Sequence, residues 1–391
     1  MNFYKEAKSL VKVNIRDYGM YIALFVIMLT FSIMTDGLFM SSRNISNLLD
    51  ATGYIAVLAV GMTLVIVIRH IDLSVGFAAG FLGAIAAILL TDMGVPFYLT
   101  IPIILVIGIV VGLFSGVLVA SIGIPSFVAS LAGMLIFRGA LLRVTEKSGT
   151  IIIRDENFNA IGNGFIPSIA KVNGLNVLSL IVGVCIILLY IYSEFSKRNS
   201  KIKYNFEVVS NRIFALKVVF VSAIIAYITW ILAGYNGFSW TVIIMLLVVV
   251  IYHFLTTKTV LGRHIYAVGS NPEAAHLSGI NVKKITYIVF GSMGMLSALS
   301  GILFTARLQS ATTTAGTLFE LDAIAAAYVG GVSAAGGVGK VTGSIIGAIV
   351  MASLSSGMNL LGVGISYQYM IRGAVLAAAV IFDVMTRKQR S

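Results

Sequence analysis

Charge is scarce in this chain. Only 11% of its 391 residues are Asp, Glu, Lys or Arg, while 59% are hydrophobic; a soluble domain carries charge at about a quarter of its positions. That shortage excludes a water-soluble globular fold. Cysteine is nearly missing: Cys185 stands alone inside an apolar run, so no disulfide framework or multi-cysteine metal site can be built within one chain. The four histidines, His70, His253, His264 and His276, are scattered and lack the His-Glu-x-x-His spacing of a zinc helix. No cluster of acids, bases and nucleophiles stands out, so no catalytic residue, no metal site and no resident cofactor are expected. Gly336-Gly337-Val338-Gly339-Lys340-Val341 looks like a phosphate loop, but that spacing requires Gly at 334 and Ser or Thr at 341, where the chain has Ala334 and Val341. Nucleotide binding there is excluded on the same ground.

What the chain has instead is apolar runs of 17 to 23 residues, the length that spans a bilayer as a helix. In lipid each spanning backbone must satisfy its own hydrogen bonds, and the alternating ten-residue pattern of a membrane barrel is missing. The expected fold is an all-α polytopic integral membrane protein with 10 to 12 transmembrane helices, some discontinuous or re-entrant, in two weakly related halves. The repeat is suggested by Gly76 and Gly80 before Gly83-Ala84-Ile85, and by Gly343 and Gly347 before Ala348-Ile349, each pair following a polar or Gly-rich interruption.

The net charge of +12 is not spread as a nucleic-acid surface would spread it. Residues 1–18, 194–217, 258–284 and 383–391 hold 17 Lys/Arg and 6 Asp/Glu, which accounts for 11 of those 12 charges. Short basic segments mark the cytoplasmic side. The expected organisation is one membrane domain over 1–391, with a cytoplasmic N-terminal segment, a basic loop at 194–217, a loop at 258–284, a cytoplasmic tail, and no nucleic-acid partner. The polar connection at 143–177 falls outside by alternation. No short apolar core with a small-residue cleavage site follows the basic start, so the N-terminus is expected to be retained inside.

Two polar interruptions attract function. Arg69-His70-Ile71-Asp72-Leu73-Ser74 breaks an apolar stretch, and a charge at the centre of a membrane helix costs about 2.5–3.5 kcal/mol. These side chains must therefore pair, reach an interface or line a polar cavity. His70, Asp72 and Ser74, with Thr312 and Thr313 of the hydroxyl-rich 310–316 strip and Asp322, are candidates for a polar route, because hydroxyls and carboxylates can hydrogen-bond a polyol. The second interruption, Leu261 to Ile285, reads as a turn at Gly269-Ser270-Asn271-Pro272 and a short helix over Glu273–Ser278. Pro272 suits the first helical position and Gly279 the left-handed cap.

Three stretches then carry a family resemblance. Gly61-Met62-Thr63-Leu64-Val65-Ile66 through Gly76, Tyr266 through Ile280, and Ala325-Ala326-Ala327-Tyr328-Val329-Gly330-Gly331 through Gly343 resemble the first-half signature, cytoplasmic loop and second-half signature of permease subunits of bacterial sugar ABC importers. The similarity runs from about Asn44 to Asp383. The length and the Ile68-Arg69-His70-Ile71-Asp72 form look like the xylose and multiple-monosaccharide branch, whereas shorter ribose-type permeases commonly have glycines at the Arg69-His70 positions. The resemblance implies a homodimer in the bacterial inner membrane, multi-pass, with both termini cytoplasmic. It also implies an ATP-binding partner that holds ATP and Mg, and an extracytoplasmic protein that delivers a monosaccharide. Coupling to the ATPase would fall to Arg263, Asn271, Pro272, Glu273, Ala274, Ala275, Ser278 and Gly279. The alternative from the residues alone is an ion-gradient-driven transporter of a small polar solute, with Asp72 and Asp322 as coupling carboxylates.

Overall fold

The computed structural model describes residues 15–168, 170–206, 208 and 210–388. The chain begins with α1 (Ile15–Met34), a single turn at Leu38–Met40, α2 (Ser42–Val67), α3 (Val75–Thr91), α4 (Phe97–Val117) with a wide turn at Leu118–Ile122, and α5 (Ser126–Thr145). Then come β1 (Thr150–Ile152), α6 (Glu156–Asn163), β2 (Lys171–Val172), β3 (Leu175–Asn176), α7 (Val177–Lys203), α8 (Asn211–Ala233) and α9 (Trp240–Lys258). The remainder is α10 (Val260–Ser270), α11 (Pro272–Leu277), α12 (Val282–Leu308), β4 (Ser310–Thr312), α13 (Phe319–Val329), α14 (Val341–Leu360) and α15 (Ile365–Lys388). Among the described residues nine helices are long and apolar enough to cross a membrane, and Gly19–Met34 of α1 and the whole of α3 are shorter apolar helices. The expected all-α polytopic fold is therefore present.

The described residues fall into two compact units. The smaller contains Met40–Asn47 and Phe165–Ser239, essentially the α7–α8 hairpin. Asn176 caps α7 by accepting the Ser179 N–H at 3.1 Å, and Gly183 lets α7 lie directly on Thr229 of α8. The basic segment 194–217, expected as a loop, is mostly helix: α7 runs to Lys203 and α8 starts at Asn211. Lys, Arg and Glu are good helix formers, and local partners hold the turns. Glu194 accepts from Lys197 at 3.3 Å and from Lys217 at 2.5 Å, and the Arg198 guanidinium lies 4.6 Å from the Phe214 ring centroid. Cys185 is exposed on α7. Of the terminal basic segments, residues 1–14 and 389–391 lie outside the described residues.

The larger unit contains Arg16–Phe39, Leu48–Gly164 and the chain from Trp240 onward. Lipid tails are as apolar as leucine, so helices here cohere through close packing of small residues and interhelical hydrogen bonds. Its centre shows that rule. Helix α3 buries Gly76, Ala78, Ala79, Gly80, Gly83, Ala84, Ala86 and Ala87, and α12 buries Gly291, Gly294, Ser297, Ala298, Ser300 and Gly301. Gly301 rests on the Ala79 backbone of α3, and Gly294 on the Gly108 and Gly112 backbone of α4. Hydroxyls add cross-links: Thr63 of α2 pairs with Ser344 of α14, and Tyr252 of α9 with Ser292 of α12 at 2.6 Å. The stretches of α2 and α12 are 89% and 72% buried, whereas those of α4 and α15 are 28% and 11% buried. Apolar side chains such as Val106, Val110 and Phe114 on α4 are exposed, as a face solvated by lipid requires.

The two glycine pairs behave alike. A Cβ at Gly76 or Gly80 would collide with Gly316 or Ala315 carbonyls just before α13, and one at Gly343 or Gly347 would collide with Gly330 or Ala326 carbonyls at its far end. Both α3 and α14 thus start against the 11-residue α13, after a break in the chain. At one end of α12, β4 pairs antiparallel with β1, Thr312 facing Thr150. Asn163 of α6 donates to the Ala306 and Arg307 carbonyls at 2.8 and 3.0 Å, satisfying the last turn of α12.

Candidate functional site: the helix breaks and the α10–α11 segment

The 258–284 segment folds as three capped helical pieces. Thr259 caps α10 by accepting from Gly262 N–H at 3.2 Å, so Arg263, His264 and Tyr266 lie on a helix that continues through Gly269 and Ser270. The turn expected at 269–272 is only the joint at Asn271. That residue is extended, at φ −155° and ψ 104°, and its side chain accepts from Ala274 N–H at 3.0 Å. Pro272 is the first residue of α11, as the spacing predicts, and Ser278 Oγ donates to the Ala274 carbonyl at 2.8 Å. Gly279 takes the left-handed cap at φ 83°, and Asn281 starts α12 by accepting from Lys284 N–H at 2.9 Å.

Only Ala275 of α11 is buried, while Leu277 is 87% exposed. An apolar side chain so exposed, on a short helix between polar caps, is what a partner would cover. Losing the Asn271 cap should cost about 1 kcal/mol locally. Asn271→Ala is therefore expected to raise hydrogen exchange of the 273–276 amides several-fold while leaving α12 unchanged.

The α2–α3 break meets this segment backbone to backbone. Arg69 sits at φ 66°, a left-handed conformation that costs an L-residue roughly 1–2 kcal/mol. Its Nε donates to the Gly269 carbonyl at 2.7 Å, and its terminal Nη2 to the Ser270 carbonyl. A Cβ on Gly269 would collide with the Val67 carbonyl, and one on Gly336 with the Arg69 side chain. Val67 in turn accepts from Gly337 N–H at 2.8 Å. The glycine-rich loop that resembles a phosphate loop therefore uses this amide on its own chain. Tyr266 Oη donates to the Gly339 carbonyl at 2.6 Å. Burial pushes that phenol above the usual tyrosine range, so it stays a protonated donor.

Of the polar-route candidates, the structure joins some and separates others. Asp72 is 3% exposed and accepts from both N–H and Oγ of Ser74, at 2.9 and 2.6 Å, just before α3. His70 lies with its ring centroid 5.8 Å from that of Phe290. Asp322 belongs to a different group: its Oδ2 is 3.5 Å from Arg372 Nη1 of α15. Beside it, Tyr54, Phe304 and Phe319 form an aromatic trio with centroids 4.9 to 5.2 Å apart. Glu320 is 5% exposed, and its Oε2 has no hydrogen-bond partner among the described residues. Thr312 belongs to the β4 ladder and shares a 3.4 Å hydrogen bond with Thr314, and Thr313 follows it.

Sequence reading missed Arg372, Tyr54 and the two phenylalanines. A lone arginine in the apolar 367–385 run was the available signal; aromatic residues in apolar runs give none. It also left Arg69 unassigned, although a left-handed arginine is invisible without coordinates.

Helices that break beside buried carboxylates, within a bundle of membrane-length helices, define a multi-pass membrane transport protein. The chain belongs to the permease family described as "Branched-chain amino acid transport system / permease component", whose model matches residues 44–380. It is similar to the xylose transport system permease protein XylH of Haemophilus influenzae, 39% identical over 381 residues, covering 97% of this chain and 99% of that protein. The XylH of Escherichia coli K12 is 37% identical over 97% of this chain and 95% of its own length. The ribose import permease protein RbsC of Haemophilus influenzae is 34% identical over 93% and 91%. No solved structure matches the chain.

Proposed function

We propose that this chain is the membrane-spanning permease subunit of an ATP-driven monosaccharide importer in a bacterial inner membrane. Both termini are cytoplasmic in this reading, and two copies form the pathway. An extracytoplasmic binding protein delivers the sugar, and a separate ATP-binding subunit, carrying ATP and Mg, docks on α11. The observation that carries it is α11 itself: six residues, capped at both ends, presenting a nearly fully exposed Leu277 outside the membrane spans. Glu273, Ala274 and Ser278 are exposed as well, as is Arg263 on the preceding α10. Because the permease fold and its xylose and ribose relatives are named as transport components, hydrolysis belongs to the docked partner.

The sugar contacts are assigned to the aromatic trio with Glu320, Asp322 and Arg372. A monosaccharide offers an apolar C–H face that stacks on aromatic rings, and hydroxyls that a carboxylate or guanidinium can bind. Asp72 and Ser74 hold the start of α3 beside this region, where Glu320 lies against Gly76. The test is co-purification from membranes followed by xylose uptake into proteoliposomes. ATPase and binding protein should both be needed, and Leu277→Glu should release the ATPase and reduce uptake at least about tenfold, a loss equivalent to about 1.4 kcal/mol. Uptake by the permease alone, or ATPase retained by the Leu277→Glu variant, would overturn the assignment.

A further inference from the structure

We propose that Arg69 is the positioning residue that transmits the movement of α11 to the discontinuous helices. The inference rests on reading α11 as the docking helix. The last carbonyls of a helix have no intrahelical partner, and a guanidinium at that end satisfies them while meeting the negative end of the helix dipole. Arg69 does this from outside α10, donating to the Gly269 and Ser270 carbonyls, the two residues before the Asn271 joint of α11.

The residues flanking Arg69 lead to both breaks. Toward α3 the chain passes through His70 and Ile71, whose N–H donates to Ser126 Oγ at 3.3 Å, to the Asp72–Ser74 pair at the start of the helix. Toward α14 the route is Val67, which accepts from Gly337 N–H at 2.8 Å, then Gly339 and Lys340, the residue before that helix. Gly336 packs on the Arg69 side chain, and Tyr266 of α10 holds Gly339. A displacement of the α10–α11 joint is therefore applied at one guanidinium to the starts of α3 and α14 together.

Shorter ribose-type permeases commonly have glycine here, but in this chain two details argue that the side chain, rather than the backbone, is what the position uses. Glycine would take the left-handed angle without strain, yet an arginine stands there and puts two donors on the neighbouring helix end. Lysine offers a single ammonium, which lacks the planar fork that reaches two adjacent carbonyls.

The test uses the whole transporter, with its ATPase and binding protein, in proteoliposomes. Arg69→Gly relieves the left-handed strain and removes both hydrogen bonds. We expect it to retain the ATPase, keep basal hydrolysis and melt no lower than wild type, while sugar taken up per ATP hydrolysed falls at least about tenfold. Arg69→Lys, which keeps the charge and the stem, should recover only part of that ratio. A purely structural residue would lose stability and coupling together. An unchanged uptake-to-hydrolysis ratio in Arg69→Gly overturns the proposal and leaves the α11 assignment standing. If the wild-type chain retains no ATPase, the α11 assignment fails. The clasp is then decided in the chain alone: faster exchange at the 337–340 amides in Arg69→Gly sustains it, and unchanged exchange overturns it.

Discussion

Leucine in place of Gly294 should separate α4 from α12 and leave little folded protein in the membrane. At that position a Cβ would collide with the Gly108 carbonyl and lie 2.6 Å from the Gly112 amide nitrogen, while Gly112 itself faces the Phe290 carbonyl. The obstacles are main-chain atoms, so no rotamer change on either helix relieves them. Overpacking usually costs about 1–3 kcal/mol; with backbone on both sides, roughly 3 kcal/mol is expected as a minimum. Lipid adds no compensating hydrophobic drive, since the exposed faces are equally well solvated by acyl chains. Thermal melts in detergent and the folded fraction recovered from membranes measure the effect. Gly373→Ala is the control, because a Cβ there meets nothing within 4 Å. A Gly294→Leu variant melting within about 2 °C of wild type would show that the α4–α12 contact is not formed as described.

Removing one member of the Asp322–Arg372 pair should harm the protein more than removing both. A buried pair loses about 3–5 kcal/mol when one charge is left behind; with 26% of each side chain still exposed, roughly 2 kcal/mol is expected. Arg372→Leu and Asp322→Leu should each lower folded yield and melting temperature, and the double variant should recover most of that loss. Transport should not recover. If these groups bind sugar hydroxyls, uptake stays down at least about tenfold in all three variants. A double variant that imports normally would remove the pair from the pathway, and single variants with unaltered melts would show that the ion pair contributes nothing to the fold.

Much of the framework was legible in residues alone, because membrane helices obey simple constraints of length and composition. The start and end of α11 followed from Pro272 and Gly279, whose local geometry each residue type nearly dictates, whereas Asn271 was read as part of a turn and is the N-cap. The glycine pairs at 76/80 and 343/347 announced close backbone contact, though only coordinates show that both meet α13. Helices α3 and α13, at 17 and 11 residues, are short, in keeping with the expectation that some helices are discontinuous or re-entrant. The 194–217 segment misled because charge was read as loop, while helix propensity and the Glu194 and Arg198 contacts decide its conformation. The aromatic trio was hidden for a different reason: Tyr54, Phe304 and Phe319 lie far apart in the chain, and each looks like an ordinary apolar residue. Arg69 was hidden because its partners are carbonyls, which every residue possesses.

If α11 docks the ATPase as proposed, those carbonyls make it an exchangeable address label. Its side-chain caps, Asn271 and Ser278, bond to backbone within the segment, and Arg69 grips only main-chain oxygens of Gly269 and Ser270. The identities of Glu273, Ala274, His276 and Leu277 can therefore drift without disturbing either grip. Permeases that keep an arginine at this position can diverge in the ATPase they recruit, by changes at four surface positions, while inheriting the same internal linkage.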